Sequence, residues 1–113
     1  MLPNWQPIEA LPLIAVMLDG QLHDLHQQVA NLEQCRHRPQ VVDASMIARI
    51  RAVFGEQRDV LSVFREQLTR WQELPLDETT RLEINRLGAV LDQMKETLDR
   101  ILNLAETLPR AFV

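Results

Sequence analysis

Residues 84–108 read INRLGAVLDQMKETLDRILNLAETL. Within them Ile84, Leu87, Leu91, Met94, Leu98, Ile101, Ala105 and Leu108 recur at alternating steps of three and four. Such a repeat averages about 3.5 residues, which in an α-helix draws a single apolar seam suited to shallow left-handed packing. A half-buried strand would need alternation at every second residue, and the stretch has none. A helix with one apolar stripe depends on partners to cover it.

The rest of the chain supplies two. The first segment carries Ile8, Leu11, Ala15, Leu18, Leu22, Leu25, Val29 and Leu32 at the same spacing. The second carries Ile47, Ile50, Phe54, Gln57, Leu61, Phe64, Leu68 and Trp71, of which only Gln57 is polar. Pro39, Pro75 and Pro109 follow the three segments, as expected just past helix ends. Asp43 or Ser45 can cap the second helix and Asp77 the third. Pro7 and Pro12 crowd the first start, and Pro12 fits only in a first turn, where no amide donor is needed.

The spacing predicts helices over about 9–37, 44–74 and 77–108, each roughly 45 Å long at 1.5 Å per residue. Short connections make neighbours antiparallel. The expected fold is all-α: one domain over residues 1–113, an up-down-up three-helix bundle with coiled-coil-like heptad packing, and an amino-terminal arm at 1–8. No family motif stands out. The helix order resembles spectrin-like repeats in architecture, a likeness of shape that implies no function.

Antiparallel pairing brings together positions with a constant sum of residue numbers. Beside the first seam stand Asp19, His26 and Glu33, and beside the second stand Arg51, Arg58 and Arg65. Pairing Asp19 with Arg65, His26 with Arg58 and Glu33 with Arg51 centres on the first turn. On the other flank of the second helix, Val60 with Val90 and Met46 with Leu104 centre on the second turn. Asn85, Asp92, Asp99 and Glu106, beside Arg86, Gln93 and Arg100, are then left as a solvated face.

Composition agrees with this class. The 113 residues are 46% hydrophobic and 25% charged, with three glycines and no tyrosine, which disfavours a strand-rich fold. A net charge of -4 leans against nucleic acid. Arg36, His37, Arg38, Arg49, Arg51, Arg100 and Arg110 gather at one end, but without a recognition helix or interleaved aromatics, so nucleic acid is not an expected partner. Cys35 is the single cysteine and has no intrachain partner, so nothing points to an oxidising compartment. A cytoplasmic location is expected.

One stretch breaks the seam pattern. LPLIAVML, Leu11–Leu18, is apolar on every side. It has no basic lead and no small-residue cleavage pattern, and it falls far short of the roughly 18 apolar residues of a membrane span. Its surplus apolar side, Leu13, Val16 and Met17, therefore reads as a contact surface. The alternative is that the arm folds back, with Trp5 covering Val16 or Met17. A second candidate face is the small row Ala48, Gly55, Ser62 and Thr69 on the second helix. Gly55 costs about 0.5–1 kcal/mol relative to Ala in a helix interior, which a close helix crossing would explain.

Chemistry finds little support. His23 and His26 are weak metal candidates. Asp19 lies seven residues from His26, roughly 10 Å along the axis, so one ion cannot take both. A zinc or iron site usually needs three or four ligands, and neither a metal nor a cofactor is expected. Cys35 and His37 point to different sides of a helix, Ser45 and Ser62 lie in no nucleophile elbow, and no glycine-rich phosphate loop exists. The expected function is a non-enzymatic protein-protein interaction module: a small adaptor, an assembly or secretion chaperone, or a regulatory subunit. It would bind another protein or form a homodimer through Leu13, Val16 and Met17, with Ala48, Gly55 and Ser62 second. The alternative is a bundle holding a small ligand or metal near Gln57 or near His23 and His26.

Overall fold

Asp43 and Asp77 start the second and third helices, each by accepting an amide hydrogen bond with its carboxylate: from Met46 at 2.8 Å and from Thr80 at 2.7 Å. In the computed structural model, which describes residues 4–108, α1 spans Leu11–Cys35, α2 Ala44–Gln72 and α3 Glu78–Thr107. Pro109, Arg110 and the first three residues of the arm lie outside the described residues. Short 3-10 turns, Ile8–Ala10 and Pro39–Val41, lead into α1 and α2. Pro12 occupies the first turn of α1, as its missing amide requires. That helix stops two residues sooner than its spacing suggests. The amides of Arg36, His37 and Arg38 bond back three residues to Glu33, Gln34 and Cys35, tightening the chain before Pro39.

The three helices form an up-down-up bundle, and α3 is its hub. Leu87, Leu91, Met94, Leu98, Ile101 and Ala105 are completely sealed from solvent, and Val90, Thr97 and Leu104 extend the buried face sideways. Among the described residues, close backbone approach joins α3 to α2 and α3 to α1, and hardly at all α1 to α2. The molecule is accordingly flattened, 59 × 29 × 17 Å. Along the seam between α1 and α2, Leu22, Val29, Ile50, Phe54, Gln57 and Phe64 are only half-buried. The apolar ones among them pack against the core without being sealed by it.

The charged flanks correct the expected pairing. Arg51, Arg58 and Arg65 turn to α3, not α1, and meet Glu106, Asp99 and Asp92. Asp19 and Glu33 also turn to α3, where they meet Arg86 and Arg100. Asp92, Asp99 and Glu106 are therefore not a merely solvated face. Val90 and Leu104 do not pair with Val60 and Met46 either. They share the flank of Thr97, which lies beside His26 and Val29 of α1.

The reason lies in the hand of the bundle. Three helices in this order can wind either way, and the choice exchanges the two flanks of every seam. The expected hand yields two opposite-charge pairs and a His–Arg contact. The observed hand yields five opposite-charge pairs, all made by α3. Each exposed pair contributes little to stability, but a consistent set selects one arrangement over its alternative.

Candidate interaction surface

The arm does fold back, but onto the end of α2. Asn4–Pro7 runs against the last two turns of that helix. The Gln6 amide donates to Gln67 Oε1 at 2.6 Å, and Trp71 Nε1–H donates to the Gln6 carbonyl at 3.0 Å. Arg70 places its guanidinium 4.3 Å from the centre of the Trp5 ring. A partly open cleft of about 200 Å³ lies between the arm, Ile14 of α1, and Val63, Phe64 and Gln67 of α2.

The contact candidates on α1 are thus left bare. Leu13 is 72% exposed and Val16 71%, with Met17 at 38%. The expected alternative, Trp5 covering Val16 or Met17, leaves no trace at Val16, because Trp5 is engaged with Arg70. Beneath the patch Leu11, Ile14, Ala15 and Leu18 are buried. The stretch is apolar all round because one side packs inward and the other faces water.

The small row on α2 is not continuous with that patch. Ala48 and Ser62 are exposed and Gly55 is half-buried. Ser62 donates to the Asp59 carbonyl at 3.2 Å and borders a shallow cleft with Arg58, Arg65 and Lys95, on the side of α2 facing α3. A β-carbon added at Gly55 would meet nothing within 4 Å, so among the described residues no close crossing demands a glycine there.

His23 and His26 are exposed; His26 stands beside Glu96 and Arg100 of α3. Among the described residues no three His, Cys, Asp or Glu side chains are grouped to hold a metal ion. No described helix is long and apolar enough to cross a membrane.

Electrostatics is concentrated at the hub. Hydrogen bonds from Arg86 hold the Asp19 carboxyl below the usual carboxylate range, and Arg100 does the same for Glu33. Arg58, then Lys95, lower Asp99. Arg86 is held more firmly protonated than an ordinary arginine by Asp19 and Glu83. These shifts accompany ion pairs between helices, and none falls on the apolar patch.

No protein-family model, curated protein or solved structure matches this chain. The surface itself must carry any functional reading.

Two buried residues beneath the arm carry polar groups that an apolar seam does not explain. Gln67 lies on the seam's flank yet is only 5% exposed, and Trp71 is 2% exposed with an indole N–H to satisfy. Together they are the signal for a neighbouring backbone. The sequence shows the need but not which segment meets it.

Proposed function

We propose that this chain is a non-enzymatic protein-binding module, acting in the cytoplasm as a small adaptor, chaperone or regulatory subunit, and that it associates with itself through the start of α1. The observation that supports this is the exposure of Leu13 and Val16 while the described part of the arm, Asn4–Pro7, is bonded to α2. Adjacent exposed apolar side chains on a rigid helix, over a packed inner face, favour a contact surface. Ala48, Gly55 and Ser62 form the second candidate face, where a β-carbon at Gly55 would have room.

Light scattering behind a sizing column tests the reading. Across a concentration series the mass should approach twice 13.1 kDa. Val16→Asp should return it to that of one chain while leaving the helical circular dichroism intact. A single-chain mass for the native protein at every concentration would overturn the self-association.

A further inference from the structure

The outer side of α1 differs from that of α2 in its charge. No lysine or arginine occurs before Arg36, so Leu11–Cys35 holds no basic residue other than histidine. Of its three carboxylates, Asp19 and Glu33 are engaged by Arg86 and Arg100 of α3, which leaves Asp24. Beyond Leu13, Val16 and Met17 the exposed side continues through Gly20, Gln27, Ala30, Asn31 and Gln34, all uncharged. The exposed side of α2 carries Arg49, Glu56, Asp59, Glu66 and Arg70 over a similar length. Depletion of charge along one side of a helix is the compositional mark of a surface that becomes covered.

Charge returns at the two ends of α1, with opposite sign. Glu9 lies in the 3-10 turn before the helix, and Arg36 and Arg38 follow its last residue. All three are exposed, and none joins an ion pair among the described residues. A complementary partner needs a basic end, a neutral length and an acidic end, in that order. A second α1 laid antiparallel has that order. We infer that two copies pair antiparallel along the full length of α1. Glu9 of each then stands opposite Arg38 of the other, and His23 of each meets Asp24 of the other at the crossing. This deepens the self-association proposed above and rests on it. Parallel pairing would set Glu9 on Glu9 and Asp24 on Asp24, and antiparallel pairing centred on the apolar patch would bring Glu9 to Asp24, so both oppose like charges. The patch alone, Leu13–Met17, spans roughly 6 Å of axis, whereas the 25 residues of α1 run about 37 Å. The longer contact suits a specific interface, which buries about 1,200–2,000 Å². In it Leu13, Val16 and Met17 are covered by Gln34, Asn31 and Ala30 of the other copy, each contact occurring twice by symmetry.

Charge reversal tests the pairing. Light scattering across a concentration series is run on the full-length native chain, on Glu9→Arg, on Arg38→Glu and on the two combined. Each single reversal should raise the dimer dissociation constant about tenfold, because both symmetry-related contacts become like-charged. The combined variant should return to the native value, and helical circular dichroism should be unchanged throughout. Orientation is read from Gly20→Cys and Gln27→Cys chains, each also carrying Cys35→Ser; a β-carbon at position 20 has room. Mixed and oxidised, they should form a disulfide between position 20 of one chain and position 27 of the other. Either chain alone keeps its two cysteines roughly 10 Å apart along the axis and should stay unlinked. A dimer that ignores both reversals, stays weak when they are combined, or links Gly20→Cys chains to one another would overturn the antiparallel pairing and leave docking through the patch standing. A single-chain mass for the native protein at every concentration would overturn both.

Discussion

The indole of Trp71 donates to the carbonyl of Gln6 across 65 residues of chain, at 3.0 Å. This bond joins the arm to the core, because Trp71 is itself packed in the core at 2% exposure. Trp71→Phe keeps most of the packing and removes the donor. The expected loss is about 1 kcal/mol in urea unfolding, against about 3–5 kcal/mol for Trp71→Ala. In the Phe variant Trp5 is the sole tryptophan, and its emission should shift to the red as the arm loosens. An unshifted spectrum would mean that Gln67 and Arg70 hold the arm unaided.

Asp19 and Arg86 report the hand of the bundle. Their carboxylate and guanidinium meet through two hydrogen bonds, at 2.9 and 3.0 Å. A double-mutant cycle on this pair should give a coupling of about 0.2–1 kcal/mol, the upper part being expected for two-point geometry. The cycle for Asp19 with Arg65 should give none. The reverse result would restore the pairing suggested by heptad arithmetic alone.

That contrast separates what local sequence determines in this chain from what only the assembled bundle determines. Three seams, two aspartate caps and the turn prolines determine three helices and their order, since each rests on local periodicity or local hydrogen bonding. The hand does not follow from periodicity, because both windings bury the same seam. It follows from counting charges over all three helices at once. Asp92, Asp99 and Glu106 hold the missing information, and they look like ordinary solvated surface until α2 is allowed to face them. The exposure of Leu13 and Val16 is legible, since a seam uses only one side of a helix. The arm's berth is not, because it depends on main-chain groups of Gln6 that carry no mark of sequence.

A central α3 makes the cost of truncation uneven. Leu91 is fully sealed at the hub, whereas Leu22 is only half-buried at the edge of the core. Leu91→Ala should cost about 2–5 kcal/mol, transfer plus cavity. Leu22→Ala should cost about 1 kcal/mol, since only part of its side chain leaves water on folding. Chemical unfolding of the two variants measures the difference, and equal losses would mean that Leu22 is as deeply buried in solution as Leu91.

Gly55→Ala should stabilise the chain by about 0.5–1 kcal/mol, since an added β-carbon meets no neighbour within 4 Å and the unfolded chain loses freedom. Thermal unfolding reads the sign. The same variant run through light scattering tests the small row as an interface. A rise in melting temperature with an unchanged dimer mass removes Gly55 from the contact, whereas loss of dimer would place a partner helix over it.

Acid should unfold the bundle through the carboxylates that bind α3 to its neighbours. Asp19 is lowered by hydrogen bonds from Arg86, and Asp99 by Arg58 and then Lys95. A carboxyl depressed in the folded state binds its proton at higher pH once unfolded, so the unfolded chain takes up more protons as pH falls. The stabilisation is complete above the ordinary aspartate value and drains away as pH descends through the lowered ones. The melting temperature should therefore hold steady from neutrality to about pH 5 and then fall towards pH 2. Asp19→Asn should lower the plateau and flatten part of the descent, and added salt should do the same by screening these exposed pairs. A native melting temperature that stays level between pH 5 and pH 2 would mean that the charges of the hub contribute nothing to holding α1 and α2 in place.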